Sequence, residues 1–367
     1  MAKSTFSTAP ARIKAIGIGG GGSNAITRMV REGIKGVEFI AMNTDAQALA
    51  MAEVPVRVQL GEKLTRGLGA GGDPSVGNKA ADESRQAIQE VVTGADMVFI
   101  TAGMGGGSGT GGIPVVAEVA KQSGALTIAI VTKPFSFEGA RRSKVAEQGI
   151  LDLCDKVDTL IIIPNDRMLE LCDSKTTVDN AFKLADDILR LGVRSIAEVV
   201  TVPGLINLDF ADIRSIMTGA GPAWMSLGQG SGQNRAIDAA KQALQSPMLD
   251  VSINGARGVL FNITGGNDLT LFECNEAAEV IAQSVDPEAN IIFGVVFDQE
   301  MEGELQLTII ATGFSASYGA GAPSEMELRR LLRGVGDDTL DVPSFLRRSS
   351  NYANNNAQMA SSPKLPR

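Results

Sequence analysis

Thr101-Ala-Gly-Met-Gly-Gly-Gly-Ser-Gly-Thr-Gly-Gly112 is the stretch on which the fold turns. An apolar run, Met97 to Ile100, precedes it and reads as a buried parallel strand. Ile113 to Ala120 follows and reads as a helix with Pro114 in its first turn. Strand, glycine loop and helix start together make an anion site. Glycines let backbone N–H groups approach a phosphate without a Cβ in the way, and the helix start adds partial positive charge. Ser108 and Thr110 add hydroxyl donors. A flexible linker has the same composition, but a linker is not framed by a buried strand and a periodic helix.

The pattern repeats outward from this loop. Arg12–Ile18 reads as a first strand running into the loop Gly19–Asn24, followed by a helix with Ile26, Met29, Val30 and Ile34 on one face. Gly17, Gly19 and Gly22 match G-x-G-x-x-G, which a dinucleotide-binding fold would also use. Val37–Met42 is a second strand, ending in Asn43-Thr-Asp45. A third glycine cluster, Gly67–Pro74, opens one long helix from about Ser75 to Val92. Leu126–Val131 and Thr159–Ile163 are further buried strands, followed by Thr132–Gly139 and Pro164-Asn-Asp166. Loops after strand upon strand, with helices between, predict an α/β doubly wound parallel sheet whose ligand sits at the carboxyl ends of the strands. G-x-x-x-x-G-K-[ST] is absent from the sequence, which excludes a P-loop enzyme.

Composition narrows the chemistry. The 367 residues suit about two domains. The absence of histidine excludes Ser-His-Asp and Cys-His catalysis and most zinc enzymes. Cys154, Cys172 and Cys274 are scattered and odd in number, which suits a reducing cytosol rather than a disulfide framework. No apolar run approaches ~18 residues, and no charged-then-apolar leader opens the chain, so neither membrane insertion nor a signal peptide is expected. Net charge is −9. From Gly319 onward seven Lys/Arg stand against five Asp/Glu, which leaves −11 on residues 1–318. So acidic a body argues against nucleic acid as partner.

A long amphipathic helix is expected from Val178 to Val200, its stripe made by Phe182, Ala185, Ile188, Leu189, Val193, Ile196 and Val199. It ends before Pro203-Gly204 and a loop, Leu205–Asp212, carrying two carboxylates. Beyond lie helices at Gln233–Gln245 and Asn275–Ser284 and strands at Gly258–Thr264, Ile291–Phe297 and Leu305–Ala311, a small α+β layer. The expected organisation is a disordered 1–11, a nucleotide domain 12–177, a central helix 178–202, an α+β domain 203–318, a linker 319–340, a short apolar-basic peptide 341–348 and a disordered tail 349–367.

These residues carry a resemblance. Gly-Met-Gly-Gly-Gly-Ser-Gly-Thr-Gly at 103–111 resembles the tubulin signature. With Asn43-Thr-Asp45, Pro134–Gly139 and Asn207–Asp212, residues 12–316 and 341–348 are similar to the FtsZ family, the bacterial tubulin homologues of cell division. The common signature has Thr where this chain has Ser108, and the hydroxyl is kept. The resemblance implies a tubulin-like fold: a GTP-binding domain joined by the long central helix to the smaller α+β domain. It implies GTP or GDP as ligand, with Mg²⁺ held through water and phosphates near Asp45 rather than by direct protein ligands. The rival reading, a Rossmann-type dinucleotide-binding oxidoreductase, leaves the 103–111 loop and the Asp209/Asp212 loop without purpose.

By the same resemblance Gly20, Gly21, Gly22, Ser23 and Asn24 lie on the nucleotide, and Gly103, Gly106, Gly107, Ser108 and Gly109 cradle its phosphates. Gly71 faces the terminal phosphate, and Asn43 and Asp45 order water around the metal. Asp45 at a strand end also fits an Asx-turn. Glu138, Arg142 and Asn165 match ribose and nucleotide contacts, although Glu138 and Arg142 also fit a surface ion pair. Phe182 and Asp186 stand one helical turn apart on one face. An aromatic ring for stacking and a carboxylate to accept from guanine N1–H and N2–H₂ make a guanine reader. Asp209, Asp212 and Asn207 match the catalytic loop, the two carboxylates polarising the attacking water. Asp209 and Asp212 also suit N-capping of the helix Phe210–Met217.

If Asp186 touches the base, about fifteen helical residues, roughly 22 Å, separate it from the end of its helix. Asp209 and Asp212 then point away from their own nucleotide and act on a neighbour's. Such a head-to-tail contact generates open filaments. The expected partners are therefore further copies of the chain and, by resemblance, membrane-tethering division proteins that take Asp341–Arg348. The expected location is the cytoplasmic division site beneath the inner membrane.

Overall fold

A computed structural model describes residues 11–169, 176–201, 209–246, 253, 256–298 and 301–314. In chain order the first part comprises β1 (Ile13–Ile18), α1 (Gly19–Arg31), β2 (Val37–Asn43), α2 (Ala46–Met51), β3 (Val56–Gln59), α3 (Glu62–Thr65), α4 (Pro74–Glu83), α5 (Arg85–Val92) and β4 (Met97–Gly103). It continues with α6 (Ser108–Gln122), β5 (Leu126–Lys133), a 3-10 turn (Ser136–Glu138), α7 (Ala140–Cys154), β6 (Thr159–Pro164) and α8 (Asn165–Met168). The second part comprises α9 (Val178–Thr201), α10 (Phe210–Met217), β7 (Gly221–Ser231), α11 (Arg235–Leu244), β8 (Gly258–Gly265), α12 (Leu271–Ala282), β9 (Asn290–Phe297) and β10 (Glu304–Thr312). Asn207, Cys172 and the peptide Asp341–Arg348 lie outside the described residues.

Among the described residues the strands run in the order β3-β2-β1-β4-β5-β6-β7-β10-β8-β9. From β3 to β7 every neighbour is parallel. Strands buried on both faces need apolar residues at successive positions, and β1 and β4 supply them. One core layer packs α1, α9 and α10 on one face of this sheet; another packs α4 to α7 on the opposite face. β7 belongs to both halves: its first residues pair with β6, and from Trp224 onward it pairs antiparallel with β10. A third core lies between α11, α12 and the β8–β10 strands.

The structure corrects the sequence reading in several places. The helix expected over Ser75–Val92 is two, broken at Ser84. Ser84 Oγ accepts from Gly61 N at 2.9 Å, and the Glu83 carboxylate accepts from Lys63 N and Leu64 N, so these two residues cap α3. The loop expected at Gly19–Asn24 is already α1, and α6 begins at Ser108 rather than Ile113, with Pro114 in its interior. β3, an alternating stretch of only four residues, and β7, interrupted by glycines, are strands that the sequence reading does not include. In β7, a Cβ on Gly228 or Gly230 would stand 2.0 Å from a backbone oxygen of α11. Those glycines mark close helix packing rather than a loop. α12 starts four residues earlier than expected, at Leu271, because Thr270 and Glu273 form a reciprocal capping box.

Candidate functional site

Two helix N-termini meet at the carboxyl edge of the parallel sheet. β1 feeds α1, and its neighbour β4 feeds α6. A Cβ placed on Gly19 would lie 2.9 Å from Gly109 N, and one on Gly21 would lie 3.4 Å from Gly103 N. Neither helix has a side-chain cap, and neither has an acidic residue in its first turn. α2, α4 and α12, by contrast, are capped by Asp45, Asp73 and Thr270. Free N–H groups and two converging dipoles, with nothing negative in the first turns to neutralise them, form an anion site.

The glycines here have two distinct uses. A Cβ on Gly20, Gly71, Gly72 or Gly106 meets nothing within 4 Å, so these line open space. Gly20, Gly21 and Asn24 are exposed on one side of α1. Gly22, Gly107 and Gly109 are instead packed. A Cβ there would lie 2.4 Å from Thr101 O, 2.8 Å from Asp73 N and 2.9 Å from Gly103 O respectively. For these three the absence of a side chain is a packing requirement as well as a way to expose backbone. Gly103 borders the opening, half-buried.

The hydroxyls and carboxylates of the neighbouring loops are partly committed. Ser108 Oγ bonds Thr44 Oγ1 at 2.5 Å, which ties α6 to the β2 loop. Buried Asn43 accepts from Asp45 N through Oδ1 at 3.2 Å. Asp45 Oδ1 accepts from Gln47 N and Ala48 N, so the Asx-type cap is real. Gly69 comes up beside it, its Cβ position 3.7 Å from Asp45 Cβ. Ser23 Oγ, Thr101 Oγ1 and Asn165 Oδ1 are buried without a hydrogen-bond partner among the described residues. Orphan polar atoms of this kind are costly unless a ligand or water completes them.

A second group forms a shelf beside the loops. Phe182 on α9 is 40% exposed and meets buried Phe135 edge-on at 5.4 Å. Phe135 stacks on Phe137 at 4.9 Å. Asp186 faces Arg28 of α1 at 3.5 Å. Burial raises the Asp186 carboxyl to about 6; Arg28 opposes this and Asp187 reinforces it. Arg28 is shared, bonding Asp187 at 3.2 Å. Glu138 and Arg142 are ion-paired at 2.6 Å, with Glu138 buried and Arg142 exposed. Glu138 Oε1 also accepts from Phe135 N at 2.8 Å. The Arg142 backbone runs against the glycine loop after β4, its carbonyl oxygen 2.9 Å from the Gly105 Cβ position. Asp166, which sequence reasoning placed only in a strand-end loop, bonds both Ser136 N and Ser136 Oγ.

Asp209 and Asp212 stand elsewhere. α9 runs from the shelf to the opposite edge of the sheet, where Thr201 Oγ1 donates to Lys35 O just ahead of β2. α10 is fixed at that edge too: Thr159 Oγ1, at the start of β6, donates to Met217 O at 2.6 Å. Asp209 occupies the N-cap position of α10, but its side chain caps nothing. Both carboxylates are exposed, and neither has a hydrogen-bond or ion-pair partner among the described residues. The expected N-capping by side chain is therefore not formed.

The arrangement is that of a nucleotide-binding protein with tubulin-like topology. Residues 12–173 match the model described as Tubulin/FtsZ family, GTPase domain, and residues 221–315 match FtsZ family, C-terminal domain. The chain is thus a GTPase of the tubulin class, and its ligand is a guanine nucleotide. Among solved structures it is similar to an empty FtsZ dimer from M. jannaschii, at 43% identity and a TM-score of 0.82, covering 84% of this chain and 90% of that one. A single-residue mutant of FtsZ from the same organism matches at 44% identity and TM-score 0.81, over 84% and 92%. CetZ1 from Haloferax volcanii, at 20% identity and TM-score 0.73 over 88% and 98%, shares the fold. The chain belongs to the FtsZ family. That membership leaves no place for a dinucleotide-dependent oxidoreductase.

Proposed function

We propose that the protein polymerises head-to-tail on GTP into filaments of the cytokinetic ring, and that each hydrolytic site is completed by the next subunit. The observation that carries this reading is that the glycine loops and the Asp209/Asp212 helix stand at opposite ends of the parallel strands. Two exposed carboxylates with no partner among the described residues of their own subunit are poised for a neighbour's nucleotide, where they would orient the attacking water and accept its proton. Asn207 belongs to the same loop by sequence. One solved relative is described as an FtsZ dimer, which favours self-association here.

In this reading the α1 and α6 starts, with Gly20, Gly21, Gly103 and Gly106, hold the phosphates. Gly71 lies toward the terminal phosphate. Phe182 stacks on the base and Asp186 accepts from it, while Glu138, Arg142 and Asn165 meet the nucleoside. Among the described residues no three His, Cys, Asp or Glu side chains gather as a metal cage. Asp45 is half committed to its helix. That donor set fits Mg²⁺ held by phosphate oxygens and water, the usual habit of this ion. When bound, Mg²⁺ would offset phosphate charge.

Among the described residues no helix is long and apolar enough to cross a membrane. Recruitment to the division site then falls to membrane-tethering proteins bound at Asp341–Arg348. Electron microscopy of the purified chain with GTP, GDP or NAD tests the proposal. Filaments with GTP and Mg²⁺, and none with NAD, are expected; GTP turnover by a chain that never assembles would overturn the shared-site reading.

A further inference from the structure

Asp166 sits in the first turn of α8, directly after Asn165. One of its oxygens accepts from Ser136 N at 2.8 Å and the other bonds the Ser136 hydroxyl. These bonds cross thirty residues of sequence and join the end of β6 to the turn after β5. Part of what that turn carries belongs to the proposed nucleoside site. Ser136 starts the 3-10 turn that ends in Glu138, and Glu138 closes the turn through Phe135 N. Phe135 in turn supports the edge of Phe182. On the other side of the staple Asn165 is buried to 4% exposure, its Oδ1 unpartnered among the described residues.

We propose that Asp166 is a positioning residue for nucleotide recognition. Its carboxylate fixes the spacing between Asn165 on one loop and the Phe135–Glu138 turn on the other. Two of the groups proposed for the nucleoside, Asn165 and Glu138, then meet it as one preset jaw. The inference rests on the nucleotide reading given above. Asp166 itself touches no reacting atom. Preset geometry matters here because a carboxylate accepting two hydrogen bonds is a strong, oriented constraint, whereas a free loop would have to be ordered on each binding event.

The test measures GDP and 2′-deoxy-GDP binding to the full chain, below the concentration for assembly. The set is the parent, Asp166→Ala, Asp166→Asn and Ser136→Ala. Asp166→Ala should weaken GDP about tenfold, chiefly through faster dissociation, and should narrow the preference for GDP over its 2′-deoxy form. Asp166→Asn should recover most of both, since an amide can accept from Ser136 N and donate to its hydroxyl. Ser136→Ala removes only the hydroxyl half and should give a smaller effect; it also carries the test if Asp166→Ala does not fold. An Asp166→Ala protein with the parent's affinity and ribose preference would overturn the proposal. So would an Asn variant as impaired as the Ala variant, because charge rather than the staple would then matter. Failure of the underlying reading looks different: Asp186→Asn would leave guanine binding untouched.

Discussion

The Thr159 hydroxyl donates to the Met217 carbonyl at 2.6 Å, locking the end of α10 to the amino end of β6. The glycine loops lie at the carboxyl ends of the same strands. The length of the strands therefore separates the Asp209/Asp212 pair from the glycine loops of its own subunit. Asp212→Ala should keep GTP binding and lose turnover. Specific activity of the parent should rise with concentration. Mixing two inactive variants gives the sharper outcome. Gly106→Trp fills the open side of the phosphate loop; Gly107 is a poorer choice, because a Cβ there already collides with Asp73 N. Asp212→Ala and Gly106→Trp should each be inactive alone and regain activity together. A turnover rate per subunit that stays constant down to dilute monomer would show that hydrolysis is completed in cis.

If Asp186 reads the base as proposed, it couples recognition to stability. Its folded-state carboxyl is raised to about 6 by burial, against an ordinary value of 3.8. For an acid raised in this way the folded state favours the proton. The penalty is absent well below pH 4, grows as pH rises from about 4 to 6, and is complete above that. It amounts to roughly 2–3 kcal/mol. Asp186→Asn should therefore raise the thermal midpoint of the nucleotide-free protein at pH 7.5, while Arg28 keeps Asp187. The same change should weaken GTP and relatively favour XTP, whose 2-oxygen can accept from the amide. Unchanged GTP/XTP preference would remove Asp186 from the base site.

Guanine binding should follow the same ionisation with the opposite benefit. In the proposed base site the carboxylate form would accept from guanine, so GDP affinity should fall as pH drops through about 6. The Asn variant should lose that pH dependence between pH 5 and 7. Isothermal titration at several pH values checks it.

The two kinds of glycine predict opposite outcomes for the same small substitution. Gly22→Ala places a methyl 2.4 Å from Thr101 O, backbone that cannot yield, and should cost on the order of 1–3 kcal/mol of stability. Gly20→Ala meets open space within α1 and should leave stability unchanged or improve it by about 0.5–1 kcal/mol. Any loss at Gly20 should appear in GTP affinity. Urea unfolding of the nucleotide-free chains, beside nucleotide titration, separates the two.

Truncation after Thr339 removes the apolar-basic peptide with Val342, Phe345, Leu346, Arg347 and Arg348. GTP-driven filaments should survive and membrane recruitment should be lost, as expected of a segment that folds onto a partner. A truncated chain that no longer polymerises would place the peptide in the assembly core.

The parallel sheet and the glycine-rich strand ends were legible in the sequence because their causes are local, although two of those glycine stretches proved to be helix starts. Runs such as Met97–Ile100 must be buried on both faces, and glycine clusters after them need no distant information. Family motifs added the residues proposed for the base and for catalysis. Tertiary structure alone decided the rest. It broke the Ser75–Val92 helix at Ser84, where a hydroxyl is taken by Gly61, and it revealed β7 behind glycines that admit α11. It divided the site glycines into open and packed, a distinction that depends on what lies across from each Cβ. It set the Asp186 ionisation through burial beside Arg28, and tied Asp166 to Ser136 thirty residues away. Periodicity along a chain reports which face of an element is buried. It carries no information on which distant atom completes a hydrogen bond or closes a contact, because that depends on how the layers pack.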